Sequence, residues 1–105
     1  MKHTILVIED ESTIRNDMAE ILLFEGFDVL TAENGTEGIQ LAIEKLPDLI
    51  VSDVMMPEMD GYEVLTALRE NPLTRLIPVI FVTAMAEKED IRTGMNRGAD
   101  DYLVK

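Results

Sequence analysis

Cysteine is absent from this chain, which excludes disulfides, thiolate metal ligands and a thiol nucleophile together. The single histidine, His3, stands ahead of the first strand-like run, where an exposed residue is expected rather than a ligand or base. Basic side chains are few: 9 Lys and Arg against 21 Asp and Glu give a formal charge of −12. So negative a surface repels phosphate backbones and argues against direct binding of DNA or RNA. It leaves open cations, basic partner surfaces, or a phosphate whose charge a metal first neutralises. No run is long and apolar enough to span a bilayer, and the N-terminus has no secretory hydrophobic region. A cytoplasmic location without membrane contact is therefore the expectation. Internal repeats, linkers and low-complexity segments are also missing.

What remains is 105 residues, room for one domain, with 47% hydrophobic residues to build one small core. Apolar runs alternate with amphipathic stretches. Ile5-Leu6-Val7-Ile8 is continuously apolar, as a strand buried on both faces should be. Ser12 or Thr13 then offers a cap for a helix carrying Ile14, Met18, Ile21 and Leu22, with Gly26 as its stop. A more polar strand, Phe27 to Ala32, has charges at its ends that suit a sheet edge. Helical spacing returns from Gly35 to Lys45 through Gly38, Ile39, Ala42, Ile43 and Leu46, and Pro47 closes it.

Leu49 to Val51 reads as a third strand. After a loop with Pro57, Asp60 and Glu63 have the spacing of a capping box before Val64, Leu65 and Leu68. That helix should fail at Asn71-Pro72. Val79 to Val82 forms a fourth strand with Pro78 at its start. A weaker helix from Glu87 to Asn96 turns Ile91 and Met95 inward, Gly98 ends it, and Tyr102 to Val104 open a fifth strand. Strict alternation of strand and helix implies an α/β fold. Its sheet is five-stranded, parallel and doubly wound, with right-handed crossovers and the flavodoxin-like order 2-1-3-4-5.

Ligands of such sheets lie beyond the carboxyl ends of the strands, where the order reverses. Glu9-Asp10 follows the first strand, Asp53 the third, Thr83 the fourth and Lys105 the fifth. Three carboxylates so placed repel: at roughly 4 Å and an effective dielectric near 20, each pair costs about 4 kcal/mol. A proton or a hard cation must relieve them, and Mg²⁺ suits one or two carboxylates plus water and a phosphate oxygen. The blander reading, solvent-exposed cap acids ahead of a helix, weakens once Asp53 stands across the gap. Asp53 is the candidate nucleophile, because carboxylates form aspartyl-phosphate intermediates. Lys105 can neutralise a phosphoryl oxygen and Thr83 can donate to another.

Glu9-Asp10, the run Ser-Asp-Val-Met-Met-Pro-Glu-Met-Asp-Gly from Ser52 to Gly61, Thr83-Ala84, and Gly-Ala-Asp-Asp-Tyr-Leu-Val-Lys from Gly98 to Lys105 resemble the response-regulator receiver family. The resemblance covers essentially the whole chain, residues 1–105, as one receiver domain. It implies an acidic pocket of Glu9, Asp10 and Asp53, with the backbone carbonyl of Met55 completing the protein ligands of Mg²⁺. It also implies phosphorylation at Asp53, phosphoryl sensing by Thr83 and Lys105, and a switch in which Tyr102 enters space beside Ala84. The surface around the fourth helix and fifth strand then changes. The donor would be a sensor histidine kinase or a phosphotransfer protein, and the only chemistry would be self-catalysed transfer to and from Asp53. Met56 should pack inward. Met55 and Met85 should hinder water and lengthen the phosphorylated lifetime.

The family usually continues past the lysine with a proline and a fifth helix, which this sequence lacks. Apolar sheet should therefore be left uncovered, for a downstream effector, a second copy or a following helix to meet. Three rival readings stay open. A haloacid-dehalogenase-like phosphatase also uses an aspartyl nucleophile, but its acid–base aspartate would fall where Met55 stands. A flavodoxin-like FMN carrier would need its first loop to cradle phosphate, which Glu9-Asp10-Glu11 opposes. A degenerate receiver would serve only as an interaction module.

Overall fold

The computed structural model describes residues 2–83 and 101–104, with side chains through Val82. Its elements run β1 (Thr4–Ile8), α1 (Ser12–Phe24), β2 (Asp28–Ala32), α2 (Gly35–Lys45), β3 (Leu49–Ser52), α3 (Gly61–Glu70), β4 (Val79–Thr83) and β5 (Asp101–Val104). All strand pairs are parallel and the order is β2-β1-β3-β4-β5, the flavodoxin-like arrangement expected. The expected helix over 87–96, Gly98, Ala84, Met85 and Lys105 lie outside the described residues, and of Thr83 and Tyr102 only the strand positions are described.

Alternation along the strands divides the interior. Leu6 and Ile8 of β1, Ile50 of β3, and Val79 and Phe81 of β4 face α2 and α3, where Ala42, Val64, Leu65 and Leu68 close over them. The rings of Tyr62 and Phe81 meet nearly perpendicular, with centroids 5.3 Å apart. Ile5, Val7 and Val51 point the other way, toward Met18 and Leu22 of α1. The central strands β1, β3 and β4 are thus apolar along most of their length, polar only at an end (Thr4, Ser52, Thr83), because helices pack on both sides of the sheet.

Local signals set most element ends. Asn34 caps α2 by accepting from the Glu37 N–H at 2.8 Å. Asp60 and Glu63 form the expected capping box of α3. At the end of α1, Gly26 takes φ +97, as a left-handed helix stop requires, and its N–H donates to Leu23. Leu46, expected as the last apolar residue of a helical face, is instead the left-handed cap of α2 at φ +47. Pro47 disfavours helical backbone in the residue before it, so the turn falls on leucine.

Two other expectations need correction. Neither Ser12 nor Thr13 caps α1: Ser12 is its first residue, and Glu11 occupies the cap position without a side-chain bond. The second strand begins at Asp28, because the Phe27 N–H is spent on the carbonyl of Leu22.

Candidate functional site

The register delivers the acids to one rim. Ile8 pairs with Ser52 across β1 and β3, so the residues that follow each strand emerge side by side. The Asp53 N–H extends the ladder by one bond, to Ile8 O at 3.0 Å. Carboxylate oxygens of Glu9, Asp10 and Asp53 all lie within 4.8 Å of one another, as the sequence predicts. Glu9 is 1% and Asp53 8% exposed, whereas Asp10 reaches solvent. Burial matters because carboxylates withdrawn from water are the ones most in need of a compensating positive charge.

The loop after β3 is built to hold Asp53. Val54 and Met56 are buried anchors, as expected for Met56, while Met55 between them stands 74% exposed. Glu58 takes a left-handed turn at φ +68, and the capping box then starts α3. Gly61 returns directly over the nucleophile candidate: a Cβ there would lie 2.5 Å from the Asp53 carbonyl oxygen. Its N–H donates to Val54 O at 2.8 Å, and the Ser52 hydroxyl donates to the Asp53 carbonyl at 2.9 Å. The Asp53 backbone is thereby fixed from both sides.

The loop after β1 is held differently. The Glu9 N–H bonds Ala32 O at 3.1 Å, and the Glu9 carboxylate accepts the Glu11 N–H at 3.3 Å. Arg15, which sequence reading missed, reaches back from the first turn of α1 to the carbonyls of Glu9 and Asp10. A signal was present: a cation in a helix's first turn, where the macrodipole disfavours it, needs some other partner.

Thr83 closes β4, and Tyr102 lies in β5 opposite Phe81, so the backbone brings both strands to the same sheet. His3 is exposed, as expected, 3.6 Å from the Asp48 carboxylate. No described helix is long and apolar enough to cross a membrane. Hard oxygen donors grouped at this separation fit a small divalent cation, with space on the Asp10 side for water.

Comparison with known proteins agrees with this geometry. The family model for the response regulator receiver domain matches residues 5–105. A probable transcriptional regulator, ycf27, of Porphyra purpurea is 43% identical over 104 residues, 99% of this chain and 42% of its own length. The alkaline phosphatase synthesis transcriptional regulatory protein PhoP of Bacillus subtilis is 42% identical over all of this chain and 43% of its own length. The chain thus spans about two-fifths of these relatives. Among solved structures, the chemotaxis protein CheY4 of Vibrio cholerae superposes with a TM-score of 0.95 at 31% identity, covering 100% of this chain and 88% of that one. A putative response regulator from Chloroflexus aurantiacus gives 0.94 at 33% identity, covering 100% and 86%.

Proposed function

This chain belongs to the response regulator receiver family, and on that premise we propose that it is a phospho-acceptor switch whose acceptor is Asp53. One observation carries the reading: the Asp53 carboxylate shares a rim with those of Glu9 and Asp10, within 4.8 Å, at the reversal point of the sheet. A carboxylate oxygen of Asp53 attacks phosphorus, the bond from phosphorus to the donor breaks, and its electron pair leaves with the donor. The donor is the phosphohistidine of a sensor kinase or phosphotransfer protein, or a small acyl phosphate. Water later attacks the same phosphorus, the bond between phosphorus and the Asp53 oxygen breaks, and inorganic phosphate leaves as the carboxylate is restored.

Positioning and charge neutralisation dominate such a transfer. Glu9, Asp10, Asp53 and the backbone carbonyl of Met55 would hold Mg²⁺, which when bound offsets the charge on the phosphoryl oxygens. Gly61 and Ser52 keep the acceptor's backbone still while its side chain reacts. In this reading Thr83 and Lys105 engage the phosphoryl group, and Tyr102 moves beside Ala84. Carrying the population from 1:99 to 99:1 requires about 5.5 kcal/mol of preference for the active arrangement, within reach of a few charge-assisted hydrogen bonds. In this reading the output is the surface around β5, offered to an effector that the longer relatives, two of them named as transcriptional regulators, would carry in the remainder of their length.

Incubation with acetyl phosphate and Mg²⁺, followed by intact mass, tests the proposal. Wild type should gain one phosphoryl group and Asp53→Asn none; labelling that survives in Asp53→Asn defeats it. Met55, exposed two residues after Asp53, is proposed to obstruct the hydrolytic water. Met55→Asn should then lose its phosphoryl group faster than wild type, and an unchanged rate refutes that role.

A further inference from the structure

Arg15 is the fourth residue of a helix whose first turn holds no acid and whose cap makes no side-chain bond. Helical side chains lean toward the N-terminus, so the guanidinium projects back past the start of α1. There Nη1 lies 3.0 Å from the carbonyl oxygen of Glu9 and 3.5 Å from that of Asp10. Nη2 lies 3.7 Å from Oε1 of Glu33, just beyond edge strand β2. The Arg15 side chain is only 13% exposed, against 70% for Glu33. An arginine held this closely by two consecutive carbonyls is serving the backbone, since an ion pair with so exposed a partner is weak.

We infer that Arg15 is a positioning residue for the acidic cluster, setting the peptide that carries Glu9 and Asp10 so that their carboxylates meet Asp53. The inference rests on reading that cluster as a cation site. Fixing both carbonyls fixes the two peptide planes that flank the Asp10 Cα, and with the Glu9 N–H held by Ala32 it sets the directions in which the two side chains leave the chain. A guanidinium presents its donors in a fixed plane toward the two carbonyls; an ammonium is a point charge without that fixed geometry.

A second role would have the opposite sign. Were Arg15 merely a counter-charge to the three acids, its removal would leave them more negative and tighten cation binding. As a positioning residue, its removal loosens the ligands and weakens binding.

Calorimetric titration of Mg²⁺ into the wild-type chain, Arg15→Met and Arg15→Lys separates the two. Arg15→Met should bind about 10-fold more weakly, the lower end of what losing a ligand-orienting partner costs. Arg15→Lys should show a smaller loss. Phosphorylation by acetyl phosphate should return to the wild-type rate at saturating Mg²⁺, shifting the Mg²⁺ dependence and not the maximal rate. Unchanged or tighter Mg²⁺ binding by Arg15→Met overturns the inference. If melting shows that this variant does not fold, Arg15→Lys decides by the same criterion. Wild type that takes up no Mg²⁺ overturns the cation-site reading as well.

Discussion

Helices α2 and α3 bury Gly35, Gly38, Ala42, Val64, Leu65 and Leu68 against one face of the sheet, whereas α1 on the opposite face buries none of its residues. Both faces are equally apolar in sequence. On the first, Phe81, Leu65 and Leu68 are completely enclosed. On the second, a groove of about 290 Å³ runs between α1 and the strands, lined by Met18, Ile21, Leu22, Leu49, Val51, Ile80 and Val82. Ile21 is 64% and Phe24 90% exposed. The comparison teaches that hydrophobic periodicity reports which side of a helix is apolar, not how fully a neighbour covers it.

Substitutions can sharpen that contrast. Phe81→Ala removes the largest fully buried side chain of the α3 face and should cost about 3–5 kcal/mol in urea unfolding. Gly61→Ala forces a methyl group against the Asp53 carbonyl and should cost about 1–3 kcal/mol. It should also slow phosphorylation more than stability alone explains, because the acceptor's own backbone must shift. Phe24→Ala, on the exposed end of α1, should change stability by no more than about 0.5 kcal/mol. Equal losses in Phe81→Ala and Phe24→Ala would erase the distinction between the faces.

Much of this was readable in advance. The bounds of α2, Gly35 to Lys45, agree with its helical spacing, and the Asp60–Glu63 box marks the start of α3, because capping depends on residues only three apart. The acidic rim was readable for a different reason. In a parallel sheet with a reversal point, residues just past neighbouring strands must meet, so Glu9, Asp10 and Asp53 could be grouped from topology. Arg15 was not grouped with them. Its partners are carbonyl oxygens, which every residue has, so its unfavourable place in the first turn of α1 signals a partner without naming it. The closeness of Gly61 to the Asp53 carbonyl was likewise hidden, since it depends on how the eight-residue path back from Asp53 folds.

By itself the sequence determined the alternation of elements, the parallel order of the sheet, the capping of α3 and the identity of the three acids, because each is governed by neighbours along the chain or by simple rules of strand connection. Tertiary structure alone decided that Glu9 is buried while Asp10 reaches water, and that an arginine grips the loop after β1. Those outcomes depend on distances between backbone atoms of different elements, which are set only when the sheet and its helices have packed.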